Sequence, residues 1–163
     1  MTIEWFAVYT RPRHEKKVAQ QLSDKGIDVF LPLRTVVSHW KDRRKQVQFP
    51  LFTGYVFVHI VLENRLAVLR MPGVVQFVSS EGKPIPVPEG QIEAVRQLVN
   101  SGLKYDPYPY VKEGMRVTIR NGPLKGVEGI VISKRKKHLL VLSVDLIQQS
   151  ASLEIDITDT DVR

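Results

Sequence analysis

Side chains able to do covalent or proton-transfer chemistry are sparse in this chain. The four histidines, His14, His39, His59 and His138, are scattered. The chain holds no HExxH, P-loop or GxSxG motif and no carboxylate pair of recognisable spacing. There is no cysteine, so no disulfide, thiolate metal site or thiol nucleophile can form. The sequence therefore predicts no catalysis, no metal and no cofactor. What is concentrated is cationic. Arg11, Arg13, His14, Lys16 and Lys17 lie close together, and Lys41, Arg43, Arg44 and Lys45 form a second cluster. Such groups suit nucleic acid, where phosphate contacts position a protein and base-edge contacts give sequence preference. Arg11 and Arg13 flank Pro12 and read as a functional loop, whereas Lys16 and Lys17 read individually as a solvated helix face. The second cluster either reaches DNA or keeps a hairpin soluble.

Composition bounds the partner and the compartment. The formal net charge is +7 with a pI near 9.7, which favours a polyanion. Up to Tyr105 there are fifteen Lys/Arg against nine Asp/Glu; beyond it the counts are nine and eight. Nucleic-acid contact is thus expected in the first two-thirds. Apolar residues make up 43%, enough for a packed core. The N-terminus lacks a signal-peptide pattern, and no run approaches the roughly 18 apolar residues of a membrane span. The expectation is a soluble cytoplasmic monomer without membrane contact.

The elements that must position these groups follow from periodicity. Trp5–Tyr9 reads as a strand and His14–Lys25 as an amphipathic helix with Val18, Ala19 and Leu22 on one face. Val29–Leu33, Gly54–Ile60 and Val74–Val78 read as strands, Arg34–Gln48 as a basic hairpin or mobile loop, and Glu63–Arg70 as a short helix. Glu89–Asn100 is a helix with Ile92, Val95, Leu98 and Val99 on its stripe. In Gly54–Ile60, Val56, Val58 and Ile60 share one face, and Tyr55, Phe57 and His59 the other. With helices over the Val side, the aromatic side lacks cover. Tyr9, Tyr55 and Phe57 are then expected to form an exposed patch awaiting a partner.

The segment 101–110, with one Gly and two Pro, reads as a linker. Short strands follow at Arg116–Arg120, Gly129–Lys134, Leu139–Val144 and Ser152–Ile157. The predicted class is α+β: an N-terminal α/β sandwich over 1–101, a linker over 102–110, and a small all-β SH3-like barrel over 111–163. Gly114, Gly122, Pro123, Gly126 and Gly129, in phase with alternating Val and Ile, supply the turns and close approaches of such a barrel. Leu139, Leu142 and Leu146 can be read at helical spacing, but the β-branched residues of the segment favour the barrel.

The stretch 112–132 resembles the KOW motif. Trp5-Phe-Ala-Val-Tyr-Thr-Arg-Pro-Arg-His-Glu-Lys-Lys-Val, Phe49-Pro-Leu-Phe-Thr-Gly-Tyr-Val-Phe-Val58 and Pro72-Gly-Val-Val-Gln-Phe-Val78 resemble, in order, the strands and first helix of the NusG N-terminal domain. The whole chain is therefore similar to the NusG family of transcription elongation and antitermination factors. Arg11–Lys17 and Phe30-Leu-Pro-Leu-Arg34 resemble its specialised branch, which includes RfaH and the capsule-locus antiterminators. The resemblance implies that Tyr9, Tyr55 and Phe57 grip RNA polymerase, and that Arg11, Arg13, His14 and Lys17 face DNA, where the non-template strand is read. It implies an opposite-jaw contact near Asn64 and Arg65, although the Thr-rich version of RfaH is not reproduced. It further implies that the KOW unit binds a small-subunit ribosomal protein or the Rho factor, through Leu146 and Ile147. The rival expectation is a ribosome-associated KOW protein that binds RNA.

Overall fold

The computed structural model describes residues 2–40 and 43–162. Two compact units make up the chain, 1–89 and 90–163. The first contains β1 (Glu4–Thr10), α1 (Glu15–Asp24), β2 (Asp28–Phe30), β3 (Leu33–Trp40), β4 (Arg43–Pro50) and β5 (Tyr55–Ile60). A 3-10 turn, Leu62–Asn64, runs into α2 (Arg65–Leu69). Then come β6 (Val74–Phe77), β7 (Ser79–Ser80), β8 (Lys83–Pro84) and β9 (Pro86–Val87). The main sheet is antiparallel, in the order β2-β5-β1-β6, with β9 also pairing β1.

Strand periodicity sets what this sheet buries. Val56, Val58 and Ile60 of β5 and Phe6 and Val8 of β1 meet Val18 and Leu22 of α1 and Val68 of α2 in one core. Val18 and Leu22, one helical turn apart, are fully buried, and each such side chain contributes about 1.5–3 kcal/mol. The opposite face is covered as well. Trp5, Ala7, Phe30 and Phe57 are all buried there. Phe30 stacks on Phe57 with centroids 6.2 Å apart, and Phe52 meets Phe57 edge-on at 6.4 Å. The expected strand Val29–Leu33 stops at Phe30, because Pro32 has no N–H to continue a ladder. Leu33 instead opens a hairpin to Pro50, longer than the expected basic segment. It pairs only with itself among the described residues, and the Leu51 N–H to Pro32 carbonyl bond (2.9 Å) closes its base.

The second unit holds α3 (Glu89–Val99), β10 (Asp106–Tyr108), β11 (Met115–Ile119), β12 (Glu128–Lys134), β13 (Lys137–Val144), β14 (Gln149–Ile155) and β15 (Thr160–Val162). Its six strands form one antiparallel sheet in the order β10-β14-β13-β12-β11-β15. Val117, Ile119, Leu140, Leu142, Val144 and Leu153 are buried in it. A Cβ on Gly129 would lie 2.8 Å from the Val141 carbonyl oxygen, so only glycine lets β12 and β13 close there. Residues 138–150 are strand and 3-10 turn, not helix.

Two boundaries differ from expectation. The helix α3 belongs with the second unit: Gln91 and Asp145 exchange two hydrogen bonds, and Gln97 Nε2 donates to the Pro123 and Lys125 carbonyls. The proline-bearing stretch 102–110 also contains β10, which pairs with β14 at Pro107↔Ala151. As an edge strand, β10 tolerates a residue without an N–H.

Candidate functional site

The segment from Arg11 to His14 joins β1 to α1 and is held from three sides. The Thr10 N–H donates to the Gly54 carbonyl and the Arg11 N–H to the Gly73 carbonyl, each at 2.8 Å. The Gly54 N–H donates to Glu15 Oε2 at 2.9 Å, and Glu15, at the first turn of α1, is only 6% exposed. Gly73 has φ +95°, and a Cβ there would lie 2.9 Å from Val18 Cγ2 and 3.3 Å from His14 Cβ, so a larger residue would displace the loop. The imidazole Nδ1–H of His14 donates to the Pro12 carbonyl at 2.9 Å, inside the loop. Arg13 itself adopts φ +64°, uncommon for a residue with a Cβ. The result is a fixed loop with the Arg11, Pro12 and Arg13 side chains exposed; Lys16 and Lys17 are exposed on α1.

The aromatic pair adjoins this loop. Tyr9 and Tyr55 are cross-strand partners, with ring centroids 5.6 Å apart and planes tilted by 59°. Tyr9 is 40% exposed and Tyr55 half-buried. Phe57 corrects the expectation of a three-residue patch. It shares the face of Tyr55 but is 0% exposed, enclosed by Phe30 and Phe52. His59, next on the same face, stacks on Trp5 at 4.6 Å and donates its Nδ1–H to Asp28 Oδ2 at 3.3 Å. The open part of the face is therefore the Tyr9–Tyr55 end, where β1 and β5 lead into the glycine-held loop.

Other expected contacts lie elsewhere in the unit. Arg43, Arg44 and Lys45 are exposed on β4, and Lys41 lies outside the described residues. Within the hairpin the Arg34 guanidinium sits 5.9 Å over the Phe49 ring. Asn64 and Arg65, both exposed, form the junction of the 3-10 turn and α2. Among the described residues no cluster of three His, Cys, Asp or Glu could hold a metal, and no helix is long and apolar enough to cross a membrane.

Residues 3–96 match the family model described as transcription termination factor nusG. The chain is 30% identical to the transcription termination/antitermination protein NusG of Lactococcus lactis, covering 93% of this chain and 89% of that protein. It is 27% identical to NusG of Borreliella burgdorferi, over 96% of both. The chain belongs to the NusG family. A solved structure of Thermotoga maritima NusG shares the fold, with a TM-score of 0.58 at 22% identity over 99% of this chain and 97% of that one. The NusG family resemblance is thereby shown, together with the α+β class, and the chain is a transcription factor of that family.

In the all-β second unit of this NusG-family chain, the expected partner-binding pair divides. Leu146 is half-buried, but Ile147 is 7% exposed because the 3-10 turn Asp145–Ile147 points it inward. Beside it, Asp145 accepts from Gln91 Nε2 (2.9 Å) and from the Tyr110 hydroxyl (2.8 Å). That carboxylate, and burial after it, raise the Tyr110 hydroxyl above the ordinary tyrosine range. Gly122 and Gly126 take positive φ at turns, and Gly114 packs against Ile130. Sequence reasoning missed Glu15, Gly54 and Gly73. Glycines beside the quoted motifs were the available signal, but their joint contact with one loop exists only in the folded unit.

Proposed function

We propose that this chain binds RNA polymerase through Tyr9 and Tyr55 and contacts DNA with the Arg11–Arg13 loop, lowering pausing or termination. One observation carries the reading: the Tyr9–Tyr55 pair and the exposed arginines are held on one continuous piece of backbone tied by Gly54, Gly73 and Glu15. Aromatic rings with polar edges suit a protein surface, and guanidinium groups suit phosphate or unstacked bases of a displaced strand. His14 and Lys17 border the same surface, and Arg43 and Arg44 extend the basic character along the hairpin. Asn64 and Arg65 are proposed for the opposite jaw of the polymerase cleft. The action is non-covalent: a factor bridging the cleft favours the closed, elongating state only by binding it more tightly than the paused one. The KOW unit is the proposed site for a ribosomal protein or Rho, with half-buried Leu146 its accessible element. Membership of the specialised branch is part of the same proposal.

The test is elongation by purified polymerase across a pause-rich template. The wild-type chain is expected to shorten pauses, and Arg11→Ala/Arg13→Ala to lose most of that effect while still co-purifying with polymerase. No effect of the wild-type chain on any pause, together with tight binding to ribosomal RNA, would instead favour the ribosome-associated reading.

A further inference from the structure

The turn joining β12 to β13 departs from hairpin rules in several ways at once. Arg135 and Lys136 are the two central residues of a two-residue turn, and both take left-handed backbone conformations, φ 47° and 66°. Asn-Gly is the preferred occupant of such a turn, because a Cβ at positive φ crowds the adjacent carbonyl. The flanking residues Lys134 and Lys137 are direct cross-strand partners, so like charges face each other. All four side chains are exposed, and among the described residues only Lys137 has an ion pair, with Glu154 at 3.5 Å. Apart from that exposed ion pair, the fold makes no use of these side chains, and local rules broken without a structural return mark functional positions.

Charge distribution across the unit points the same way. Four of the nine Lys/Arg after Tyr105 sit in this turn, and the other five are outnumbered by eight carboxylates. The turn is thus a positive pole on an otherwise acidic unit. The four turn residues Lys134–Lys137 include no aromatic or large aliphatic side chain, so the turn itself offers neither the anchors of a protein interface nor rings that stack on bases. We propose that the Lys134–Lys137 turn binds the phosphate backbone of nucleic acid without base preference, as a site separate from the Arg11–Arg13 loop.

The variant R135N/K136G installs the turn sequence that the geometry prefers, so folding is kept. Binding of the full chain to labelled mixed-sequence RNA and duplex DNA is followed by fluorescence anisotropy between about 50 and 200 mM salt. The comparison is repeated in an Arg11→Ala/Arg13→Ala background to remove the other basic loop. The proposal expects affinity at the lower salt to fall about tenfold, and the salt slope to become shallower by roughly 1.4–1.8. The melting temperature should be unchanged or higher. Loss on both polymers, or on one alone, supports the site and identifies its source. Unchanged affinity and slope on both polymers in both backgrounds overturn it, as does loss confined to anionic phosphatidylserine vesicles.

Discussion

Tyr55 and Phe57 lie two residues apart on the same face of β5, yet the fold uses them differently. Phe57 is enclosed by Phe30 and Phe52, and Tyr55 pairs with the more exposed Tyr9. Phe57→Ala is therefore expected to cost about 3–5 kcal/mol in urea denaturation by emptying a packed site. Tyr55→Ala should cost far less stability and act on partner binding instead. Period-2 alternation made the shared face legible in the sequence. The cover over one end of it was not, because Phe52 arrives from the connection after the hairpin and no local pattern assigns it to β5. A second residue-scale prediction concerns Tyr110. Its hydroxyl bond to Asp145 holds the tyrosine pKa above its unfolded value. The bond's contribution is present below about pH 10 and is lost as pH rises through the higher folded value. Tyr110→Phe should lower stability at pH 7, and its difference from wild type should shrink on strongly alkaline titration, measured by chemical denaturation.

At the scale of elements, the hairpin β3–β4 and the closure of β12 on β13 make opposite predictions. Among the described residues the hairpin pairs with neither larger sheet, and an isolated two-stranded ribbon is marginal in water. Replacing residues 36–47 by a short Asn-Gly turn should leave the melting temperature within a few degrees while weakening DNA binding and its salt dependence. Gly129→Ala should destabilise the second unit by roughly 1–3 kcal/mol, because the neighbour it meets is the Val141 backbone. Helices, hairpin and the strands of the second unit were legible because apolar spacing and turn residues agree there. The strand Asp106–Tyr108 was not, since Pro107 argues against strand everywhere except at a sheet edge, and edge position is a property of the assembled sheet. The place of α3 was equally hidden: its stripe of Ile92, Val95 and Leu98 requires burial without naming the surface that provides it.

Over the whole molecule, charge and family membership bear on the same question from different sides. Most of the excess positive charge lies before Tyr105, in the part that carries the tyrosine pair and the glycine-held loop. The order of strand motifs along the chain made the family legible, whereas the juxtaposition of Glu15, Gly54 and Gly73 required the fold. A working surface at the Tyr9–Tyr55 end predicts that polymerase binding and fold stability respond to different residues. The direct measurement is the affinity of core RNA polymerase for the wild-type chain and for Tyr9→Ala/Tyr55→Ala, with melting temperatures recorded in parallel. The predicted result is tight wild-type binding and a loss of about 30-fold or more in the variant, at a nearly unchanged melting temperature. Equal binding by the two proteins, or no binding by the wild type, would contradict it.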